Sequence, residues 1–323
     1  MTSKNHQFGQ HFVAFGLSLL VLILLLWDAQ KQEIWEILQT VQWKWLLLAL
    51  GIKSISLFIH EYRLWTSLSH PRPKMSTTMQ IGFASALINI LIPARAGDVV
   101  AIALLKKHCH IPTSLGTFAV GMVSFFEAAV FGTLMMIMLL LKAPIWIPLM
   151  GESILNQTLN TITIATLLGI VAVTSAVIIG RRLHPKEDEV SSQSSFSPLQ
   201  WIQKTLHHAG DNLTDLRYLL NNTMASIIEV WLMIAAFALI FPALNIAIID
   251  PWTISGLILG ISAVASIVLP PTYAAGNTAS AIFVLTLFQI DESAAIAYST
   301  LWWIISQVPA AILGIPSLWR LQQ

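Results

Sequence analysis

Pro93-Ala94-Arg95-Ala96-Gly97-Asp98 interrupts an apolar run from Thr78 to Leu105, and Pro270-Pro271-Thr272-Tyr273-Ala274-Ala275-Gly276-Asn277 interrupts a second one from Ile254 to Phe288. A helix needs about 20 apolar residues to cross roughly 30 Å of hydrocarbon. Thr78 to Ile92 reaches only about 22 Å as a helix, and the arm after the break is shorter still. Neither arm crosses. Non-helical backbone at membrane depth is tolerated only where protein or a water-filled cavity surrounds it. The two breaks therefore predict re-entrant helical hairpins, 78–105 and 254–289, placed around a cavity. Ile254 to Pro270 almost spans by itself, so two full spans stay open as the reading of the second region.

The rest of the chain agrees with a membrane setting. Its 323 residues are 56% hydrophobic and 10% charged, with a mean hydropathy of +0.73, which leaves too little polar surface for a soluble domain. Six further segments read as spans: Phe12 to Trp27, Trp45 to Trp65, Leu115 to Leu141, Asn160 to Gly180, Thr223 to Leu244 and Ser293 to Ile315. The first resembles a signal sequence in length, but no small-residue cleavage site follows Trp27, so it reads as retained. The expected fold is an all-α polytopic membrane protein with six spanning helices and two re-entrant hairpins. A membrane half covers 1–180 and a second one 221–323. Between them, 181–220 holds a polar linker and an amphipathic helix that Ser197-Pro198 opens. Leu199, Trp201, Ile202, Leu206, Leu213, Leu216 and Leu220 fall mostly on one face of that helix, which suits the cytoplasmic membrane surface.

Lys and Arg set the direction. With the N-terminus inside, Lys4, Arg63, Arg72, Lys74, Lys106, Lys107, Arg181, Arg182, Lys186, Lys204, Arg217 and Arg320 are cytoplasmic, and only Lys31, Lys44 and Lys142 are outside. Both termini are expected in the cytoplasm of a bacterial inner or plasma membrane. The two broken regions also share spacing. Gly82 precedes Pro93 by eleven residues and Gly260 precedes Pro271 by eleven; Ile111 follows Gly97 by fourteen and Ile290 follows Gly276 by fourteen. Matched intervals of this kind are the trace that transporter repeats leave. Given the orientation, the first hairpin opens inward and the second outward, an inverted repeat with tips near the midplane.

Helices expected to begin near Asp98 and Asn277, good N-cap residues, would aim positive dipole ends at one point and attract an anion. Arg95 adds a guanidinium at membrane depth, with bidentate geometry for phosphate or carboxylate. Two compatible readings apply to it: a headgroup ligand, or one half of an ion pair with Asp98 or Glu127. Glu127 lies about 18 Å into its span, near the midplane. Lys53 and Glu229 are also inside spans but nearer the ends, where snorkelling is the commoner reason. Glu61 stands in His60-Glu61-Tyr62-Arg63 at the cytoplasmic interface. Thr272, Tyr273 and Asn277 can offer uncharged hydrogen bonds or simply satisfy the turn. His108-Cys109-His110 lacks the distant ligands of a zinc site and reads as an interfacial stop. No metal or cofactor is expected.

The run Gly82-Phe83-Ala84-Ser85-Ala86-Leu87-Ile88-Asn89-Ile90-Leu91-Ile92-Pro93-Ala94-Arg95-Ala96-Gly97-Asp98 resembles the signature of the lysylphosphatidylglycerol synthase transmembrane-region family, the flippase-like part of bacterial multiple-peptide-resistance proteins. The resemblance implies motif positions at Pro93, Arg95, Gly97 and Asp98, and at Pro271 and Gly276 in the second break. Two departures stand out: the family's second-motif Glu falls near Ala279, and the Arg of its last span falls around Trp302-Trp303. The resemblance thus implies a lipid-class substrate without specifying an aminoacylated phospholipid.

Residues and resemblance point to a transporter that moves a lipid or lipid-linked, phosphate-bearing substrate by alternating access. No catalytic residue is assigned, and no nucleotide-binding loop of the G-x-x-x-x-G-K-[ST] type is present. The alternative is an integral membrane transferase using a lipid-phosphate donor, for which Glu61, Asp98 and His110 are available. The expected partners are a membrane lipid as substrate and either further copies of the chain or a partner enzyme. With 17 Lys+Arg against 16 Asp+Glu there is no basic field for nucleic acid.

Overall fold

The computed structural model describes residues 31–68, 72–92, 95–182, 198–268 and 273–323, and every regular element among them is a helix. In chain order these are α1 (Lys31–Gln39), α2 (Trp43–Thr66), α3 (Met75–Leu91), α4 (Ala96–Cys109), α5 (Thr113–Leu141), α6 (Ala143–Met150) and α7 (Glu152–Arg182). After the linker come α8 (Pro198–Asn212), α9 (Leu216–Ala238), α10 (Ile240–Ala243), α11 (Pro251–Val268), α12 (Tyr273–Leu287) and α13 (Glu292–Arg320).

Four of them are long and apolar enough to cross a membrane: α2, α5, α9 with its continuation α10, and α13. They coincide with the expected spans Trp45 to Trp65, Leu115 to Leu141, Thr223 to Leu244 and Ser293 to Ile315. Asn160 to Gly180 lies within α7, a continuous helix of 31 residues. Phe12 to Trp27 falls outside the described residues.

The broken regions each form two short helices. With 17 residues in α3, 14 in α4, 18 in α11 and 15 in α12, the four reach about 25, 21, 27 and 22 Å, all less than a bilayer core. α3 packs on α4 and α11 on α12. The first pair is held close by Gly97, where any β-carbon would stand 2.1 Å from the Ser85 carbonyl oxygen. The second break, including Pro270, Pro271 and Thr272, lies outside the described residues, as do Pro93 and Ala94.

The helix after the linker differs from expectation. α8 stops at Asn212, and Leu216 and Leu220 belong to α9. Asp215 causes the split by capping α9, its side chain accepting from the Arg217 N–H at 2.9 Å. α8 also packs against protein. A β-carbon at Gly180 of α7 would stand 1.9 Å from the Leu206 carbonyl oxygen, and Ser114 Oγ of α5 is 3.4 Å from His208 Nε2.

The two largest buried clusters among the described residues hold the helices together. One centres on Phe237, Phe241, Tyr298 and Trp302, where the rings of Phe237 and Trp302 stack at 3.8 Å. The other joins Leu64, Ile81, Leu105, Phe118, Phe126 and Tyr218. In a bilayer such packing gains from close contact between surfaces, since lipid tails are as apolar as leucine. Outside the spans, Lys142 at the end of α5 donates to Asp250 Oδ2 at 2.5 Å, ahead of α11. Burial works against the Asp250 charge, but hydrogen bonds from Lys142 and Thr253 outweigh it and hold the carboxyl below its usual range.

Close helix approach gives a paired prediction. A β-carbon at Gly314 of α13 would stand 2.6 Å from both Leu87 Cβ and the Phe83 carbonyl oxygen, whereas Gly51 of α2 has open space around it. Thermal unfolding in detergent should show Gly314→Ala destabilised by about 1–3 kcal/mol, the cost of overpacking. Gly51→Ala should be unchanged or slightly stabilised.

Candidate substrate-binding site

The polar interior begins with two helices that each carry a stripe of polar side chains. On α2, Lys53, Ser56, His60 and Arg63 recur at three- and four-residue intervals, and on α9 so do Tyr218, Asn222, Ser226 and Glu229. Helical periodicity puts each set on one face. The two faces meet. Tyr218 OH is 3.3 Å from Ser67 Oγ, and deeper in, Arg63 donates through Nη1 to Glu229 Oε2 and through Nη2 to the Val123 carbonyl of α5. Arg63 is fully buried and Glu229 is 2% exposed. The second Glu229 oxygen lies 2.8 Å from His60 Nδ1.

This sharpens three expectations. Arg63, counted among the cytoplasmic charges, is buried and is the partner of an internal carboxylate. Glu229 is held in that pair and does not reach out to snorkel. Glu61, expected at the cytoplasmic interface, is 3% exposed, and its carboxylate lies over Gly82 of α3, where a β-carbon would come within 1.5 Å of Oε2. The physical reason is the same throughout. A guanidinium and a carboxylate facing each other between helices offset a desolvation that either alone would bear in full.

Glu127 falls at the midpoint of α5, which has 29 residues. Its Oε2 is 3.8 Å from His60 Nδ1, and its side chain is about one-quarter exposed. Lys53 sits half-buried on the His60 face of α2, two turns earlier. His60, Glu127 and Glu229 together offer three metal-ligand atoms within 4.8 Å of one another. They do not fit a bound ion as they stand. Two ligands of a tetrahedral zinc ion stand about 3.4 Å apart, given bonds of about 2.1 Å. His60 and Glu229 are already at hydrogen-bond distance, and Arg63 takes the other Glu229 oxygen. Cys109 is half-buried and belongs to no such group among the described residues.

One turn from Glu127 on α5, Ser124 Oγ accepts from Arg95 Nη2 at 3.1 Å. Arg95 is the residue at which α3 gives way to α4. Its backbone is left-handed, with φ 55° and ψ 36°, a strained conformation for a residue with a β-carbon. It caps α4 without a side-chain bond of its own. Asn89 of α3 supplies the acceptor instead, its Oδ1 taking the Gly97 N–H at 2.7 Å, while its Nδ2 donates to Asp98 Oδ1 at 3.2 Å. Asp98 is thus in the first turn of α4 and not its cap, and its Oδ2 lies 3.1 Å from Arg95 Nε. The Arg95 ion pair is with Asp98, not Glu127. The Arg95 side chain remains 65% exposed.

Arg95, Gly97, Asp98, Glu127, Glu61, Lys53 and Glu229 thus fall in one neighbourhood of α2, α3, α4, α5 and α9. Pro93 and Thr272 lie outside the described residues. Of the second tip, only the helix is described. α12 begins at Tyr273, so Gly276 and Asn277 are inside it and Asn277 is not the cap. His60, Arg63, Asn89 and Ser124 were not anticipated as site residues. The stripes on α2 and α9 were the available signal for the first two.

The model of the lysylphosphatidylglycerol synthase TM region matches residues 11–314. The chain belongs to that family. No curated protein and no solved structure matches it. The lysylphosphatidylglycerol synthase TM region is a membrane protein family, and the matched stretch contains every described residue of the site, with Arg95, Gly97 and Asp98 at the break between α3 and α4.

The Arg63–Glu229 pair yields a stability prediction. Removing one partner of a buried ion pair costs about 3–5 kcal/mol, while replacing both by apolar residues of similar volume is often neutral. Arg63→Met and Glu229→Met should each lower the unfolding midpoint in detergent, and the double variant should unfold above either single one. A double variant as unstable as the sum of the singles would contradict the pairing.

Proposed function

We propose that this protein moves a lipid or lipid-linked, phosphate-bearing substrate across the bilayer by alternating access, with Arg95 as the headgroup ligand. In this reading the membrane is a bacterial inner or plasma membrane and both termini are cytoplasmic. The α3–α4 and α11–α12 pairs are re-entrant hairpins of an inverted repeat. Their lengths support this, since α4 and α12, with 14 and 15 residues, fall short of a span. So does the shared spacing of the two broken regions.

The observation that carries the reading is the state of Arg95. Its side chain is largely exposed on a strained backbone at a helix break, and the guanidinium is held by Asp98 through Nε and by Ser124 through Nη2. Those contacts leave Nη1 without a partner among the described residues. An arginine so held keeps donors for an anion and is pre-oriented for it. The first turn of α4 adds the positive end of a helix dipole. A transferase would need a carboxylate poised as a base at the reacting bond. Here Asp98 and Glu229 are each tied to an arginine while Glu61 and Glu127 are not, so an integral membrane transferase using a lipid-phosphate donor stays as the second reading.

The test is transport per folded molecule in liposomes, read from the exposure of labelled phospholipid headgroups in each leaflet. Arg95→Ala should reduce turnover by about tenfold or more, the loss of one charge-assisted hydrogen-bonded contact. Arg95→Lys should also be impaired, because lysine keeps the charge but loses the planar fork. Wild-type turnover in Arg95→Ala would remove Arg95 from the binding role.

A further inference from the structure

We propose that the cluster of His60, Glu127, Glu229 and Glu61 is a proton-binding site, and that the proton it takes up strengthens binding of an anionic headgroup at Arg95. The inference rests on the headgroup role of Arg95 and adds a second ligand to the same interior.

The groups that face one another here come from several helices. α2 contributes Lys53, His60, Glu61 and Arg63; α5 contributes Glu127; α9 contributes Glu229, with the Tyr218 hydroxyl nearer the end of the stripe. α4 contributes Asp98, already paired with Arg95 from the break. Setting that pair aside, two basic side chains and three carboxylic acids share an apolar interior with one imidazole. Charge there is costly unless balanced. One proton on the acids or the imidazole restores the balance.

Local geometry says where such a proton resides and how it enters. Glu229 is saturated by Arg63 and His60 and serves as a fixed counter-charge. Glu61 is 3% exposed and accepts no hydrogen bond from a described residue, and Arg63 Nε is buried without a partner. His60 Nδ1 stands between Glu229 at 2.8 Å and Glu127 at 3.8 Å, so small shifts of one ring exchange a proton between a sealed carboxylate and an open one. Glu127 is the more exposed acid of the three, and the route in. A metal ion is the competing occupant, and both the His60–Glu229 contact and the Arg63 guanidinium on the second Glu229 oxygen count against it.

The link to Arg95 runs through α5. Ser124 and Glu127 are neighbours on one helical face, about 5–6 Å apart at their β-carbons. Ser124 touches Arg95. An ionised Glu127 is therefore a competing anion beside the headgroup ligand and repels a phosphate. Protonation removes that charge, and linkage makes the effect reciprocal: the headgroup raises proton affinity as the proton raises headgroup affinity. Binding tightens as pH falls.

The probe is dihexanoyl phosphatidylglycerol, whose single phosphodiester keeps its charge between about pH 5 and 9, so any titration belongs to the protein. Calorimetry of the solubilised full chain, in buffers of different ionisation enthalpy, counts protons taken up on binding. The expected result for wild type is uptake approaching one proton, with affinity rising by up to about tenfold per pH unit lowered through the titration. Glu127→Gln should bind with pH-independent affinity near the low-pH value and take up no proton. Wild-type binding with no proton uptake at any pH would overturn the proposal and leave the headgroup role of Arg95 intact. Failure of the lipid to bind at any pH would overturn both. Because the proton count is made on wild type, the proposal is decided even if Glu127→Gln fails to fold.

Discussion

A guanidinium buried between membrane helices must find a carboxylate, and the Arg63–Glu229 pair is where that requirement organises this protein. Arg63 is fully buried and binds three elements at once: its own helix α2, Glu229 on α9 and the Val123 carbonyl on α5. An arginine has no uncharged state to retreat to, so the helices that satisfy it cannot slide or rotate independently. The second buried cluster, from Leu64 to Tyr218, packs around this polar contact. Apolar surface alone would specify such packing poorly, because lipid competes with protein for it.

The broken region is built against that frame. Glu61 follows His60 on α2 and lies over Gly82, which lets α3 approach at side-chain-free distance. Fifteen residues further along, Gly97 lets the first turn of α4 meet the Ser85 carbonyl. Asn89 ties the two arms together by satisfying the Gly97 N–H and Asp98 in one side chain. Backbone groups freed by the break thereby keep partners, which membrane depth demands. Arg95 takes the conformational strain and is left with its side chain largely exposed beside Ser124. Structure-bearing charge and available charge are thus separated: Arg63 is closed and Arg95 is open.

Much of this was legible in the sequence because length and apolarity decide it. Four spans and the short arms on either side of each Pro and Gly cluster follow from counting residues against a bilayer. Arg95, Gly97 and Asp98 stood out because polar residues at such a break have no ordinary reason to be there. The interior partnerships were not legible. Arg63 sits three residues from the end of α2 and near Arg72 and Lys74, so local context assigned it to the cytoplasmic side. Its partner is 166 residues away, and no local pattern announces a pairing between faces of two distant helices. The polar stripes on α2 and α9 held the information, but only as faces, not as a match. Asp98 and Asn277 were misread as caps for a related reason: Asn89 does the capping from another helix at the first break, and α12 starts before Asn277 at the second.

The account requires the polar interior around Ser124 to be a path reached from both sides of the membrane and occupied by headgroup, not a sealed structural core. Cys109 is the only native cysteine, so Ser124→Cys on a Cys109→Ser background gives one reporter thiol beside Arg95. Its reaction with a charged, membrane-impermeant thiol reagent, applied from either face of liposomes with oriented protein, measures access directly. The account predicts labelling from both faces, slowed by added phosphatidylglycerol. A thiol that reacts from neither face, in protein shown to be folded, would contradict it.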